Sequence, residues 1–382
     1  MLNSNIRVDL HIHSKISEYK DRDIVKNSTF DNIDTLLFKL NEHNISLFGF
    51  SDHNRFDSEL FIKTRKYIQS EKKKSEFPSI KNILPVVEFD VVFEENMEKC
   101  HVLAVFDLNT EEELKELQMI IDSDCLKKPE DVYSKNRFDQ LIRKINTDVI
   151  LIAAQRKALD NPRGGKNSLS NSVSDVYEFL KVGYISALEI QKPSVHGMIL
   201  NNLVDFPDTI AFTYGSDCHQ WDLYPKHSDN ENMANKQFCF SIKAEPTFTG
   251  LVMAFTSPHS RFNRIENVNY KYIQNIELNN VSIPLSFGIN AIIGENGSGK
   301  SSIVYGLLNE LKTNRTSYAK KILTNNHFKT IPNNLNTSIF AVRQSEIINN
   351  ENKGFAFGDK NEYFNYIDNT DLKKIFLIML KN

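Results

Sequence analysis

The chain has 382 residues, enough for two domains or for one large α/β barrel with a partial second domain. Its 40% hydrophobic and 25% charged residues are ordinary for a soluble protein, and a formal net charge of -3 argues against coating nucleic acid by charge alone while leaving room for a local basic cleft. Four scattered cysteines (Cys100, Cys125, Cys218 and Cys239) form no C-x-x-C pair, no apolar run is long enough to span a bilayer, and no leader is recognisable. A zinc ribbon, a secreted disulfide framework and a membrane protein are thereby disfavoured, and the expected compartment is cytoplasmic.

In chain order, short β-rich runs predict strands over 7–10, 46–50, 83–87, 102–106, 149–153, 187–190 and 210–214. Between them lie amphipathic helical patterns. Ile33, Leu36, Leu37 and Leu40 recur at i, i+3, i+4 and i+7, and Thr110 with Glu113 makes a capping box ahead of Leu114, Leu117 and Ile121. About seven β/α units with near-continuous apolar strands suggest a parallel barrel carrying its active residues at the strand C-terminal ends. The polar stretches 71–76, 161–174 and 220–236 read as surface loops. Arg156, Arg163 and Lys166 around Gly164 and Gly165 read as a solvated basic loop rather than a phosphate contact. After about 261 the texture changes to closely spaced strands over 272–278 and 281–285, then a glycine-rich loop and a helix. The expected domains are 1–262 and 263–382.

Histidines and carboxylates gather at the predicted strand ends. Asp9-Leu10-His11-Ile12-His13 puts two imidazoles on one side of a strand end, because strand side chains alternate with period two. Ser51-Asp52-His53-Asn54 follows another apolar strand, Glu88 ends a third, His101 opens a fourth, and Gly215-Ser216-Asp217-Cys218-His219 ends a later one. Five of the ten histidines thus fall at strand termini beside acidic residues. Mixed imidazole and carboxylate donors suit Zn²⁺, Mn²⁺ or Fe²⁺ better than Ca²⁺ or Mg²⁺. Paired ions of this kind hold phosphoryl oxygens and make water nucleophilic near neutral pH. His43, His196, His227, His259 and His327 lack partners in sequence and read as ordinary surface or loop residues.

This ordered set resembles the polymerase and histidinol phosphatase (PHP) superfamily, whose members are distorted seven-stranded β/α barrels holding up to three metal ions. The resemblance implies that His11, His13, Glu88 and Asp217 form one site with Glu88 bridging. It also implies that His53 and His219 serve a second, that His101 extends toward a third, and that Glu18 is a further ligand. Where the family carries alanine-histidine-proline, this chain has Ala154-Gln155-Arg156. Glutamine is a poor ligand for such ions, which favours two metals over three.

Gly294-Glu295-Asn296-Gly297-Ser298-Gly299-Lys300-Ser301 fits the P-loop pattern, between an expected strand over 289–293 and a helix over 302–311. Glycines let backbone N–H groups curl round phosphates, Lys300 would reach the β/γ-phosphates and Ser301 would hold Mg²⁺. The surrounding residues resemble the N-terminal lobe of ABC-type ATPases of the SMC and RecF kind, which makes Gln344 the expected sensor of Mg²⁺ and γ-phosphate. No stretch resembling L-S-G-G-Q and no strand ending in an acidic pair follows, so the expected ATP site is partial. The join from Lys243 through Pro246, Gly250, Phe255 and Pro258 to Arg261 resembles the linker of the TrlF-like PHP–ATPase fusions. That resemblance implies a metal-dependent phosphoesterase, a nuclease gated by ATP, working in DNA repair or phage defence with nucleic acid as partner. It also implies homodimerisation through the ATPase heads. The alternatives are an ATP-dependent DNA-binding protein with a degenerate barrel, or a small-molecule phosphatase.

Overall fold

In the computed structural model, which describes residues 5–156, 159, 165–190, 193–202, 210–227, 240–264, 273–279, 281–285, 290–295, 297–310 and 324–331, the apolar runs pair into one curled sheet. Its strands are β1 (Asn5–Ile12), β2 (Ile45–His53), β3 (Asn82–Val92), β4 (Cys100–Phe106), β5 (Tyr133–Ser134), β6 (Val149–Gln155), β7 (Ala187–Ile190), β8 (Ala211–Thr213), β9 (Phe240–Lys243) and β10 (Phe262–Arg264). The order is β10-β9-β1-β2-β3-β4-β6-β7-β8, with β5 on β3. Beyond β8 the chain returns to β1. Cys218 bridges Ile12, and the His13 amide donates to the Cys218 carbonyl at 2.8 Å, so the sheet meets itself at this end.

The sheet is not all parallel. β4 runs antiparallel to both β3 and β6, whereas β1–β2, β2–β3, β6–β7 and β7–β8 are parallel. The connection 93–99 is too short for the crossover that a parallel pair requires. Reversing β4 has a functional consequence. Its first residues lie at the same end as the last residues of β3, and His101 pairs with Asp90.

Alternation sorts the strands into two faces. Leu47, Leu84, Val86, Leu103, Val105, Ile150, Ile152, Ala187 and Ala211 join Ile6, Val8 and Leu10 in one buried cluster, the lumen. The intervening Phe48, Phe50, Val87, Phe89, Val102, Ala104, Leu151 and Ala153 belong to a second cluster, under the helices. Helix Phe248–Phe255 contributes Phe248, Leu251, Ala254 and Phe255 to the lumen cluster at the N-terminal end of β1, so the segment expected to be a linker packs into the barrel. Gly49 is needed in the lumen, because a Cβ there would run into the Val86 side chain. Counting on by twos gives His53 on β2, Glu88 and Asp90 on β3, His101 on β4 and Glu189 on β7. A polar layer therefore caps the apolar lumen at one end.

Helix Ile33–Glu42 buries Ile33, Leu36, Leu37 and Leu40, and the Thr110–Glu113 capping box opens helix Glu111–Ser123, both as the periodicity predicts. Two expected loops are structured instead. Residues 71–76 form helix Glu71–Glu76, capped by Ser70, whose buried Lys73 pairs with Asp34 and Glu76. In the 220–236 stretch, Trp221 is fully buried, stacks on Phe50 at 5.4 Å and donates its indole N–H to the His13 carbonyl at 2.8 Å.

The chain divides into two compact units, Met1–Asn267 and Val268–Asn382. In the second, β11 (Asn275–Leu278), β12 (Val281–Pro284) and β13 (Lys329–Ile331) form an antiparallel sheet in the order β12-β11-β13. Ile276 and Phe328 are buried against Ile303 and Leu307 of helix Lys300–Glu310. The strand expected before the P-loop is not formed over 290–293, and Ile293 is 91% exposed. Among the described residues no strand runs beside this segment to take its backbone hydrogen bonds. Asn296 and Gln344 lie outside the described residues.

Candidate metal centre

The strand-end residues converge. His11 Nε2 is 3.4 Å from both Glu88 Oε1 and Asp217 Oδ1, and His13 Nε2 is 3.5 Å from Glu88 Oε2 and 3.3 Å from Asp217 Oδ1. Ligands about 2.0–2.1 Å from a tetrahedral ion are separated by about 3.4 Å, so these donors sit at the edges of a polyhedron of that size. His53 Nε2 and His219 Nε2 lie 2.6 and 3.3 Å from Asp21 Oδ2. His13 stacks on both rings, with centroids 4.7 and 4.0 Å away. On the far side of Glu88, His53 Nδ1 is 2.9 Å from Oε2 and His101 Nδ1 is 2.5 Å from Oε1. Four donor triplets result: His11–His13–Asp217, His13–His53–His219, His53–Glu88–His101 and Asp217–His219–His227.

The ring nitrogens facing the centre are prepared for it. The Glu189 carboxylate lies 2.8 Å from His11 Nδ1 and, as an acceptor only, holds a proton there, so that Nε2 is the nitrogen available to an ion. Ser17 Oγ spends its proton on Asp52 Oδ1 at 2.7 Å, so toward His13 Nδ1, 3.1 Å away, it can only accept. His13 Nε2 is then bare. His219 Nδ1 faces the Asp217 carbonyl at 3.0 Å, with the same result. His11 Nε2, His13 Nε2 and both Glu88 oxygens are buried with no hydrogen-bond partner. Buried polar atoms are ordinarily paired, and this chemically matched set of orphans fits divalent cations.

Electrostatics agree. Burial would push Glu88 up, but the imidazoles of His101, His53 and His11 hold it well below the usual carboxylate range. Burial likewise acts to raise Asp217, and His11, His13 and His227 hold it down. Burial acts to lower His11, but Glu189, Glu88 and Asp217 raise it well above an ordinary imidazole, whereas burial and the neighbouring His219 lower His13. Burial opposes charge on His53, yet Glu88 and Asp21 raise it to about 9.

Two other acidic residues of the motifs act as clamps. Buried Asp9 accepts from Tyr224 at 2.8 Å, from the His11 amide at 3.1 Å and from the Ser216 amide at 3.2 Å, tying β1 to the Asp217 loop. Asp52 accepts from the Ser14 amide and hydroxyl, both at 2.7 Å. Asp217 itself has φ +53°, an uncommon conformation for a non-glycine residue and one that gathers at functional sites.

His11, His13, His53, Glu88, His101, Asp217 and His219 are therefore brought together. Glu18 is not. Its carboxylate is 37% exposed and pairs with Lys15 at 2.5 Å, while Asp21, one helical turn on, reaches the histidines. His227, expected to be an ordinary loop residue, packs against His219 at 4.7 Å and lies 3.4 Å from Asp217 Oδ2. Gln155 shares the alternation of Leu151 and Ala153 and donates to Ser170 Oγ at 3.0 Å. Sequence reasoning missed Asp21, Asp90, Glu189 and His227. Asp90 repeats the every-other spacing from Glu88, and Glu189 is a lone charge inside the apolar run of β7; both were available signals.

In the second unit, Gly297 and Gly299 adopt φ +83° and +92°, conformations that favour glycine. Lys300 Nζ, at the start of its helix, donates to the carbonyls of Gly294 at 2.6 Å and Glu295 at 2.7 Å.

No protein-family pattern and no curated protein matches the chain. Solved structures resemble it at low similarity. Endonuclease Q, in complex with a 27-mer duplex bearing an abasic lesion, has 12% identity and TM-score 0.37 over 74% of this chain and 65% of that one. A two-domain Bacteroides vulgatus protein containing a predicted PHP-like metal-dependent phosphoesterase has 12% identity and TM-score 0.38 over 68% and 64%. PsfC from Pseudomonas syringae has 16% identity and TM-score 0.33 over 56% and 76%. This chain thus spans about two thirds of the Endonuclease Q chain, and the functional reading rests on its own residues.

Glu189→Ala is expected to weaken divalent-metal binding by about 10- to 100-fold, the usual effect of losing a carboxylate that orients a ligand histidine. Glu189→Gln, which keeps an acceptor for His11 Nδ1–H, should lose much less. Competition titration against a chromophoric chelator measures both.

Proposed function

We propose that the lumen-end cluster is a two-metal centre that hydrolyses phosphoesters. The observation that carries this reading is the set of four orphaned buried atoms, His11 Nε2, His13 Nε2 and the two Glu88 oxygens, facing one another within a ring of imidazoles. His11, His13, Glu88 and Asp217 would hold one ion, and His53, His219 and Asp21 a second. Such ions, when bound, polarise phosphoryl oxygens and make water acidic enough to serve as the nucleophile.

The remaining work falls to the chain. Glu189 and Ser17 keep the Nε2 lone pairs of His11 and His13 directed inward. Asp9 and Asp52 hold the loops that present Asp217 and His13. Arg156, 38% exposed with Nη2 3.7 Å from Asp217 Oδ2, places a guanidinium where an incoming phosphoryl group needs a cation. Phosphodiesters of nucleic acid are the substrate class that the sequence resemblance supports. The glycine conformations around Lys300 support nucleotide binding by the second unit, with Lys300 exchanging its bonds to Gly294 and Glu295 for a nucleotide phosphate, and gating of the hydrolase by that unit is what the sequence resemblance adds.

The test is a metal-dependent assay against single-stranded DNA, duplex DNA, RNA and p-nitrophenyl phosphate. Chelation should abolish hydrolysis and Mn²⁺ or Zn²⁺ restore it. His11→Ala or Asp217→Ala should reduce it to background with an unchanged circular dichroism spectrum. Full activity in both variants, or no retained ion in the parent, would overturn the proposal. Lys300→Ala should lose binding of a fluorescent ATP analogue while keeping the parent's metal content.

A further inference from the structure

Of the four donor triplets, the one formed by His53, Glu88 and His101 is distinguished by a lysine packed against it and largely buried. A cation already stands beside it. The short helix Glu18–Asp21 sends adjacent residues to opposite sides of His53: the Asp21 carboxylate to Nε2, and the Lys20 ammonium to within 3.2 Å of Nδ1. Lys20 Nζ also bonds Asp90 Oδ2, and its side chain is only 12% exposed.

Asp90 is the fully buried anchor of that ammonium. Its carboxylate also receives Asn54 Nδ2 at 2.8 Å, and Lys99 Nζ and His101 Nε2 each stand 3.0 Å from Oδ1. Asn54 is held in turn, at φ +50°, by its amide on the Glu88 carbonyl at 2.7 Å and by the Asp90 amide on its side-chain oxygen at 3.0 Å. Lys20 therefore sits in a built polar pocket. Among the described residues, the His11–His13–Asp217 triplet has Arg156 as its neighbouring cation, 3.7 Å from Asp217 and partly exposed.

We infer that the Lys20 ammonium is a resident cation that takes the place of a metal ion beside His53, Glu88 and His101, so that this chain holds two ions and not three. The inference rests on the metal-centre reading above. With His53 committed to the second ion, a third ion held by Glu88 and His101 would stand against the Lys20 ammonium, which lies 3.2 Å from His53 Nδ1 and bonds Asp90 beside His101. The ammonium and the ion would compete for one position, and like charges at that separation in a buried site repel strongly. Asp90, sharing Lys20, Lys99 and His101, supplies the counter-charge that keeps the ammonium there in preference to solvent.

The test is metal stoichiometry by plasma mass spectrometry, after loading with Zn²⁺ and removing excess ion by gel filtration. The parent should retain two ions per chain, Lys20→Met should retain three, and Lys20→Arg, which keeps the charge, two. Lys20→Gln serves as a second neutral variant should Lys20→Met unfold, with thermal melting as the check. Substitution with Co²⁺ gives an independent readout, because the third ion should add absorbance that the parent lacks. Three ions in the parent, or two in both neutral variants, would overturn the inference while leaving the two-metal reading standing. No ion in the parent would overturn that reading and this inference with it.

Discussion

The arrangement depends on one buried anion. Glu88 has no solvent exposure, neither oxygen makes a hydrogen bond, and the imidazoles of His11, His13, His53 and His101 lie 2.5–3.5 Å from it. A carboxylate in that position is costly unless positive charge reaches it. The imidazoles answer part of this need, since Glu88 and its neighbouring carboxylates raise His53 to about 9 and His11 well above an ordinary imidazole. Divalent ions, if bound as proposed, would supply the rest, and the imidazole and carboxylate donors are of the kind that hold them.

The fold makes part of this layer by strand alternation and part by local irregularity, with a register shift in β1 between Asp9 and Ile12 beside His11. β2, β3, β4 and β7 alternate residues into the lumen, and at one end the same alternation delivers His53, Glu88, Asp90, His101 and Glu189. β4 contributes because it runs backward, so that its beginning coincides with the end of β3. Closure of the sheet at Ile12 and Cys218, reinforced by Asp9 and Trp221, brings the Asp217 loop over the layer. The lumen core beneath is closed at its other end by helix Phe248–Phe255. A dry floor strengthens every charge interaction above it.

Much of this was legible in the sequence because strand periodicity and chemistry coincide there. His11, His13, His53, Glu88, His101, Asp217 and His219 stand at the ends of apolar runs, and the structure gathers all seven. The direction of β4 was hidden, since alternation reads alike in either direction; only the short 93–99 connection carried it. Asp21 and Lys20 sit on one turn of helix, where no pattern separates a residue facing the lumen from one facing solvent, and Glu18 was the natural mistake. His227 and Trp221 lie in a polar stretch whose composition suggests a loop; Trp221 is held by His13 and Phe50, far away in sequence, and His227 turns back on Asp217 and His219. In the second unit the P-loop glycines and helix Lys300–Glu310 were legible, but the expected strand over 290–293 was not formed.

The central claim is that metal ions lie among the orphaned atoms around Glu88. Anomalous diffraction from crystals soaked in Mn²⁺ or Zn²⁺, collected on both sides of the absorption edge, tests it most directly. The account predicts one peak bounded by His11 Nε2, His13 Nε2, Glu88 and Asp217 and a second bounded by His53, His219 and Asp21. A barrel with no peak in this layer, or with its only peaks on surface histidines, would contradict it.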